Sequence, residues 1–504
     1  MGYNNNKNKT KRSERFYPES SKEKMKQTDW KIIYHNYQGL EKKAVDFLSN
    51  EAGKYLIRIN DLYRLYVLPC EKEGAKIDTN AIVLGLWQES GTVRKYATEE
   101  EIKPNGFLVK VIKNPDNENG RIVVITAKDE KELFYGAVSF IDDYMPANSP
   151  AHGAVRLRQF IFDEPMKEWS YSENSNNKTR SIFTWGHPIN DYLKYIDNMA
   201  RLKLNQLIIW NDYMPVNVED VIAYAHSYGI EILFGYSWGW VELCGKITDI
   251  SDARLKELKE QIIRRYEENY AKINCDGIYF QSFTERGDEY IGGRLIAEAV
   301  TTLVNDTANT LLEKYPNLKL QFGLHATSVK NHLEEIAKVD KRIEILWEDC
   351  GVFPYSYFPE VADEEKFEEA LAFTKKILTL RGNAPVGLVF KGVMMMDWTN
   401  FVYQSGPFVL GNNSPSIIER DRLIREGAWR IFSAEWMQYG NYAKRMLEFI
   451  KENAIGDVNC NIAGTFDGGI YFPQAVLSQM FRTVDGEYGE IMKKVARRDY
   501  VELG

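Results

Sequence analysis

No run of apolar residues in this 504-residue sequence approaches the roughly 18 that a membrane-spanning helix needs. The first 30 residues are polar and hold no apolar stretch of the kind that a secretion signal carries. Cysteine is scarce, with five residues, Cys70, Cys244, Cys275, Cys350 and Cys460, odd in number, far apart and never in a CxxC pair. That pattern excludes a disulfide framework and a thiolate zinc site, and it predicts reduced thiols in a cytoplasmic protein. Histidine is scarcer still for a chain of this length, at six residues. A strongly basic face is missing too: the net charge is −8 with both signs interspersed, which argues against nucleic acid and anionic membrane as partners. No P-loop or GxGxxG turn is present, so nucleotide-phosphate binding of those kinds is not expected.

What the sequence has in plenty is aromatic residues: 11 Trp, 30 Tyr and 24 Phe. They suit large cores, and they also suit platforms on which sugar rings stack. The length calls for more than one domain. Residues 1–30 read as a disordered tail. Residues 31–165 read as an N-terminal α/β domain. Strand signals at Tyr55–Leu68, Ala81–Leu86, Gly106–Ile112 and Arg121–Thr126 precede a helical pattern at Asp129–Tyr144. The polar stretch Ser172–Lys178 reads as a linker or exposed loop.

From Arg180 the pattern becomes a steady alternation of short apolar strands and amphipathic helices. Seven strands are predicted: Ser181–Trp185, Gln206–Trp210, Glu231–Tyr236, Gly277–Gln281, Lys319–Gly323, Ile343–Trp347 and Val386–Val393. Unbroken apolar strands, each followed by a helix, mean a parallel sheet covered on both faces. The fold class expected is therefore α/β, a TIM (β/α)8-type barrel over 180–412 with a smaller N-terminal α+β domain. Residues 413–504 read as a helical part that completes the barrel or packs on it, with a last strand near Asn461–Phe466. The apolar stretch Gly427–Tyr442 suits a homodimer face as well as a core.

Active residues of such barrels stand just beyond the C-terminal ends of the strands. Here those positions hold Trp185 and His187, then Trp210 and Asp212, then Trp238 and Trp240, then Glu285 and Arg286. They continue with His325, then Trp347, Glu348 and Asp349, then Asp397 and Trp398. Carboxylates among Trp and Tyr are what acid/base cleavage of a glycosidic bond requires. One carboxyl must be protonated to meet the leaving oxygen, and the other must be ionised to activate water or attack the sugar. With so few histidines, neither a metal nor another cofactor is expected. Two alternatives stay open: a carbohydrate-binding barrel without turnover, and a metal-dependent barrel isomerase or lyase.

At these residues the chain resembles two groups of glycoside hydrolases, the α-glucuronidases and the β-N-acetylhexosaminidases. Arg121–Pro146 is similar to the strand and helix that close the N-terminal domain in those families. Asp276–Gly287 (DGIYFQSFTERG) resembles the α-glucuronidase segment that ends in the acid glutamate, which implies Glu285 as general acid. Lys391–Pro407 (KGVMMMDWTNFVYQSGP) resembles the strand-seven segment of that family, and the matching Asp397 is the first choice for the base. Glu348 and Asp349 compete for that role, and Glu435 is a candidate for the family's further base glutamate. The hexosaminidases' Asp-Glu pair is absent, since Thr284 precedes Glu285. His187, Asp212 and His325 are placed as sugar-binding groups. Trp210, Trp238, Trp240, Trp347 and Trp398 are placed as pocket walls, and Lys391 or Arg286 as partners for a carboxylated sugar. The resemblance implies hydrolysis of a terminal sugar, a uronic acid or an amino sugar, with inversion at the anomeric carbon.

Overall fold

The computed structural model describes residues 30–53, 68–74, 76–148, 151–152, 155–156, 166–184, 189, 191–210, 214–240, 249–348, 364–390, 433–463 and 471–498. The chain divides into two compact units, Met1–Ser172 and Glu173–Gly504.

The first unit is built on a six-stranded sheet: β1 (Trp30–Tyr34), β2 (Cys70–Lys72), β3 (Asn80–Leu86), β4 (Gly106–Asn114), β5 (Asn117–Ala127) and β6 (Trp169–Asn174), in the order β2-β1-β3-β5-β4-β6. The pairs of β1 with β2 and β3, and of β3 with β5, are parallel, while β4 and β5 form an antiparallel hairpin. Two helices, α1 (Gly39–Gly53) and α2 (Glu130–Ser139), pack together, with the rings of Phe47 and Phe134 5.8 Å apart. Asp129 starts α2 by accepting the backbone N–H of Glu132 at 3.0 Å. The alternation in β4 and β5 buries Leu108, Ile122 and Val124 against Val83 and Ile33. Residues 55–67 of the strand expected at Tyr55–Leu68 lie outside the described residues.

The second unit contains a closed barrel of eight parallel strands: β7 (Arg180–Phe183), β8 (Gln206–Ile209), β9 (Glu231–Ser237), β10 (Gly277–Gln281), β11 (Lys319–Leu324), β12 (Ile343–Trp347), β13 (Val386–Phe390) and β14 (Val458–Ala463). The TIM-type fold expected from the sequence is the one found. Helices follow the strands at Tyr192–Arg201, Val218–His226, Asp252–Asn269, Ile296–Lys314, Glu364–Thr379 and Asn441–Asn453. Two of them start on side-chain caps: Asp191 accepts from Lys194 N–H at 3.0 Å, and Ser251 accepts from Arg254 N–H at 3.4 Å.

Two corrections follow. The last strand was expected near Asn461–Phe466; β14 runs over Val458–Ala463, pairs with β13 on one side and β7 on the other, and closes the ring. The polar run Ser172–Lys178 was expected to be a linker or exposed loop, yet Glu173 within it is 2% exposed. Its carboxylate accepts from Lys203 Nζ at 3.1 Å, Arg482 Nε at 3.0 Å and Gln479 Nε2 at 3.1 Å. A buried charge is kept only where such partners meet it. Lys203 reaches it from a left-handed backbone conformation, φ 62°.

Inside the barrel, the inward positions alternate with a period of two. They form an apolar layer of Phe183, Ile208, Leu233, Tyr279, Leu346 and Val389. Toward the N-terminal ends lies a polar layer. Gln321 Nε2 donates to Glu344 at 2.6 Å and to Gln206 at 2.9 Å, Ser181 Oγ donates to Gln206 at 2.8 Å, and Asn459 Nδ2 donates to Glu344 at 3.3 Å. Burial raises the pKa of Glu344 above the ordinary carboxylate value, against the hydrogen bonds from Asn459 and Gln321. Within Gly427–Tyr442, Trp436 is buried and Met437 is exposed. No described helix is long and apolar enough to cross a membrane.

Candidate active site at the C-terminal mouth of the barrel

Glu285 stands four residues beyond the last residue of β10, and the segment that carries it is tied down from both sides. Ser282 Oγ donates to the Trp238 carbonyl at 2.9 Å, and Ser328 Oγ donates to the Thr284 carbonyl at 2.6 Å. Ser282, Phe283 and Thr284 are buried, so the chain is anchored right up to the glutamate. The side chain of Glu285 then emerges 47% exposed. Its Oε2 accepts the indole N–H of Trp240 at 2.9 Å and lies 3.8 Å from Nε2 of His325.

Trp240 meets Trp210 edge to face, with ring centroids 6.2 Å apart. Trp210 in turn stands across Tyr279 at 5.8 Å and Phe183 at 6.3 Å. A Cβ on Gly235 would lie 2.5 Å from the Trp210 ring, so glycine at that place is what lets the indole sit over the strand. The mouth is thus walled on this side by two half-buried tryptophans next to a carboxylate.

Deeper in the barrel a second carboxylate is held. Glu348 follows β12 and is fully buried; its Oε1 accepts the hydroxyl of Tyr279. Gln281 Nε2 donates to the Tyr279 oxygen at 3.0 Å and lies 3.5 Å from His325 Nε2. Glu285 and Glu348 are therefore joined by a chain of side-chain contacts through His325, Gln281 and Tyr279, none longer than 3.8 Å. Burial, and then the charge of Glu348, drive the Tyr279 phenol well above its ordinary value, and the charge of Glu285 adds to it. Tyr279 keeps its proton and is a donor.

The structure brings together Glu285, Glu348, His325, Trp210 and Trp240 from the residues the sequence singled out. It removes two others from the pocket wall. Trp238 is fully buried and stacks on Phe280 with centroids 3.7 Å apart, and Trp347 is 4% exposed against Phe373. The cause for Trp347 is the period-two alternation of β12: Leu346 belongs to the inner layer, so Trp347 faces the helices and Glu348 faces inward. Arg286 is paired with Asp288 at 3.6 Å. Glu435 has its pKa raised by burial, and no hydrogen bond or ion pair among the described residues joins it to Glu285. Trp185, His187, Asp212, Asp349, Lys391, Asp397 and Trp398 lie outside the described residues.

Tyr279 and Gln281 were missed by the sequence reading. The signal for them was present: both sit at inward positions of a strand whose end carries the candidate acid. Among the described residues no group of three or more His, Cys, Asp or Glu side chains is placed to share a metal ion.

No protein-family model matches the chain, and no curated protein sequence matches it. Solved structures do. A GH20 β-N-acetylhexosaminidase from Streptomyces coelicolor A3(2) has a TM-score of 0.47 at 11% identity, over 93% of this chain and 90% of that one. A GH115 4-O-methyl-α-glucuronidase with specificity for decorated arabinogalactans has 0.46 at 12% identity, over 91% of this chain and 57% of that one. A GH138 enzyme targeting pectin rhamnogalacturonan II has 0.48 at 10% identity, over 92% and 64%. The chain spans less than two thirds of the last two. The structures it is similar to are thus glycoside hydrolases.

Proposed function

We propose that the chain is a glycoside hydrolase in which Glu285 is the proton donor. The observation that carries this reading is the setting of Glu285. It is a carboxyl on an anchored backbone at the mouth of a closed barrel, hydrogen-bonded to Trp240, with Trp210 beside that indole. A sugar ring stacked on the exposed aromatic faces would have its glycosidic oxygen within reach of that carboxyl.

In the reaction, Glu285 gives its proton to the leaving oxygen as the anomeric C–O bond breaks. The second carboxylate is drawn from Glu348, Asp349 and Asp397. It takes a proton from the attacking water, or attacks the anomeric carbon itself and is released by water in a second step. Separations of about 6.5–9.5 Å between the two carboxyls go with the first course, and about 5–5.5 Å with the second. The first course, inversion, is proposed here. The substrates to be tried first are glycosides of a terminal uronic acid and of an amino sugar.

The test is hydrolysis of glycosides with poor leaving groups, whose leaving oxygen needs a proton, by the wild type, Glu285→Gln and Asp397→Asn. Loss of a general acid or base costs on the order of 10²–10⁴ in rate. Wild-type rates in both variants would end the assignment. A wild type that binds the sugars but turns none over would make the barrel a binding protein.

A further inference from the structure

The connection that carries Glu285 continues into a short antiparallel hairpin, Tyr290–Ile291 paired with Arg294–Leu295, before the helix Ile296–Lys314 begins. Gly292 and Gly293 make its turn at φ 57° and 84°, the left-handed values that a tight two-residue turn needs. Alternation along the hairpin buries Ile291 and turns Tyr290 outward, where it is 54% exposed. The hairpin is fixed from both neighbouring connections. At its foot, Glu289 accepts from Asn331 Nδ2 at 2.6 Å and lies 3.2 Å from His332 Nε2, both in the connection after β11. Arg294 donates to the Ile250 carbonyl at 2.9 Å and to Asp252 at 2.7 Å, both in the stretch after β9. The connection after β11 also holds the foot of Glu285, where Ser328 bonds the Thr284 carbonyl. The two connections thus run together from Glu285 out to Tyr290. The ring of His332 meets that of Tyr290 at 80° with centroids 6.2 Å apart, and no ring among the described residues lies parallel to it. Ile291 supplies the packing of the hairpin, and the Tyr290 ring is left to meet a ligand.

We propose that Tyr290 is a stacking platform for a sugar on the leaving-group side of the scissile bond. The site is then built for glycans whose leaving group is itself a sugar, in preference to glycosides of small alcohols. This rests on the glycosidase reading of Glu285. A general acid meets the oxygen that joins the released sugar to the rest of the glycan, so the rest of the glycan starts at Glu285. The layer of Phe183, Ile208 and Leu233 fills the barrel interior. The course left to the glycan is outward, along the connection that leads to Tyr290. A tyrosine suits that place. Its face stacks on the apolar face of a pyranose, while its hydroxyl stays in water or meets a sugar hydroxyl. Because the hairpin is held before any sugar arrives, little ordering is needed when one does.

The experiment labels the full chain with fluorotyrosine and follows it by fluorine NMR. The Tyr290 signal is assigned by its loss in Tyr290→Phe. Titrations use the Glu285→Gln chain, which keeps the glycosidic bond intact. The probes are N-acetylated chitobiose and chitotriose, and xylo-oligosaccharides that carry a terminal glucuronic acid. Each is set beside the methyl glycoside of its terminal sugar (an aryl group would itself stack on the ring). The Tyr290 signal is expected to move with at least one of the oligosaccharides and not with the matching methyl glycoside. On active chain, kcat/KM for that oligosaccharide is then measured relative to the methyl glycoside. Tyr290→Ala should lower this ratio about tenfold, through KM more than kcat, and Tyr290→Trp should restore it. A Tyr290 signal that no oligosaccharide of the panel moves would overturn the proposal, as would an unchanged ratio in Tyr290→Ala. Hydrolysis of these glycans with an unmoved Tyr290 signal would leave the glycosidase reading standing and remove this one. Oligosaccharides that move the signal but are not hydrolysed by the wild type would sink the glycosidase reading, and Tyr290 would remain a sugar-binding residue of a barrel without turnover.

Discussion

Gly323 leaves the Tyr279 ring no room for a neighbour. A Cβ at position 323 would lie 2.6 Å from Cζ of Tyr279 and 3.0 Å from Oε1 of Glu348, with the phenol oxygen nearer still. The glycine sits on β11 opposite the inward face of β10, and its missing side chain is the space in which the Tyr279–Glu348 hydrogen bond forms.

Gly323→Ala is therefore expected to push the phenol away from Glu348. Overpacking of this kind costs about 1–3 kcal/mol of stability. The activity of the folded variant should fall as well, because Glu348, one of the carboxylates proposed for the reaction, loses the Tyr279 hydroxyl that meets it. Thermal melts and aryl glycoside rates measured together check this. Equal activity in wild type and variant would show that the link is not used.

Glu173 carries the second expectation. It is enclosed with Lys203 and Arg482, whose side chains are 3% and 0% exposed. Glu173→Gln removes the buried carboxylate that both cations face. Removing one partner of a buried ion pair costs about 3–5 kcal/mol. A drop of several degrees in the melting temperature is predicted, with the catalytic constants of the folded fraction unchanged. A melt identical to wild type would mean the cluster is not a stabilising one.

Glu344 gives a pH dependence. Its folded pKa is raised by burial, so the folded chain holds the proton more tightly than the unfolded chain does. By linkage its contribution is fully present below the unfolded carboxyl value, about 4.3, and is lost as pH rises through the folded value. Glu344→Gln, uncharged at every pH, should melt higher than wild type at neutral pH, and the gap should close on acidification. A gap that widens toward low pH would reverse the sign and refute the account.

The barrel was legible because parallel strands covered on both faces read as apolar runs, as in Gly277–Gln281 and Ile343–Trp347. The eighth strand, VNCNIA, was read three residues too far along for a physical reason. Its inward positions include Asn459, which serves the polar layer with Gln206 and Glu344, so the run does not look like a core strand. Glu173 escaped likewise, since a buried ion cluster reads as a polar loop until its partners, Lys203 and the distant Arg482, are brought to it. At the site, Glu285, Glu348 and His325 were visible as strand-end groups. Which tryptophans face the mouth was not visible, because the period-two alternation does not carry past the strand ends. Trp240 hydrogen-bonds Glu285, while Trp238, on the other side of Gly239 at φ 94°, is stacked in the core.

The central claim is that Glu285 protonates a leaving group, and its most direct measure is the rate of Glu285→Gln against leaving-group acidity. On aryl glycosides whose phenol leaves without help, the variant should keep a rate near that of the wild type for the bond-breaking step. On alkyl glycosides, whose leaving oxygen needs a proton, it should lose on the order of 10²–10⁴. A loss of equal size on both kinds of substrate, or no loss on either, would contradict the assignment.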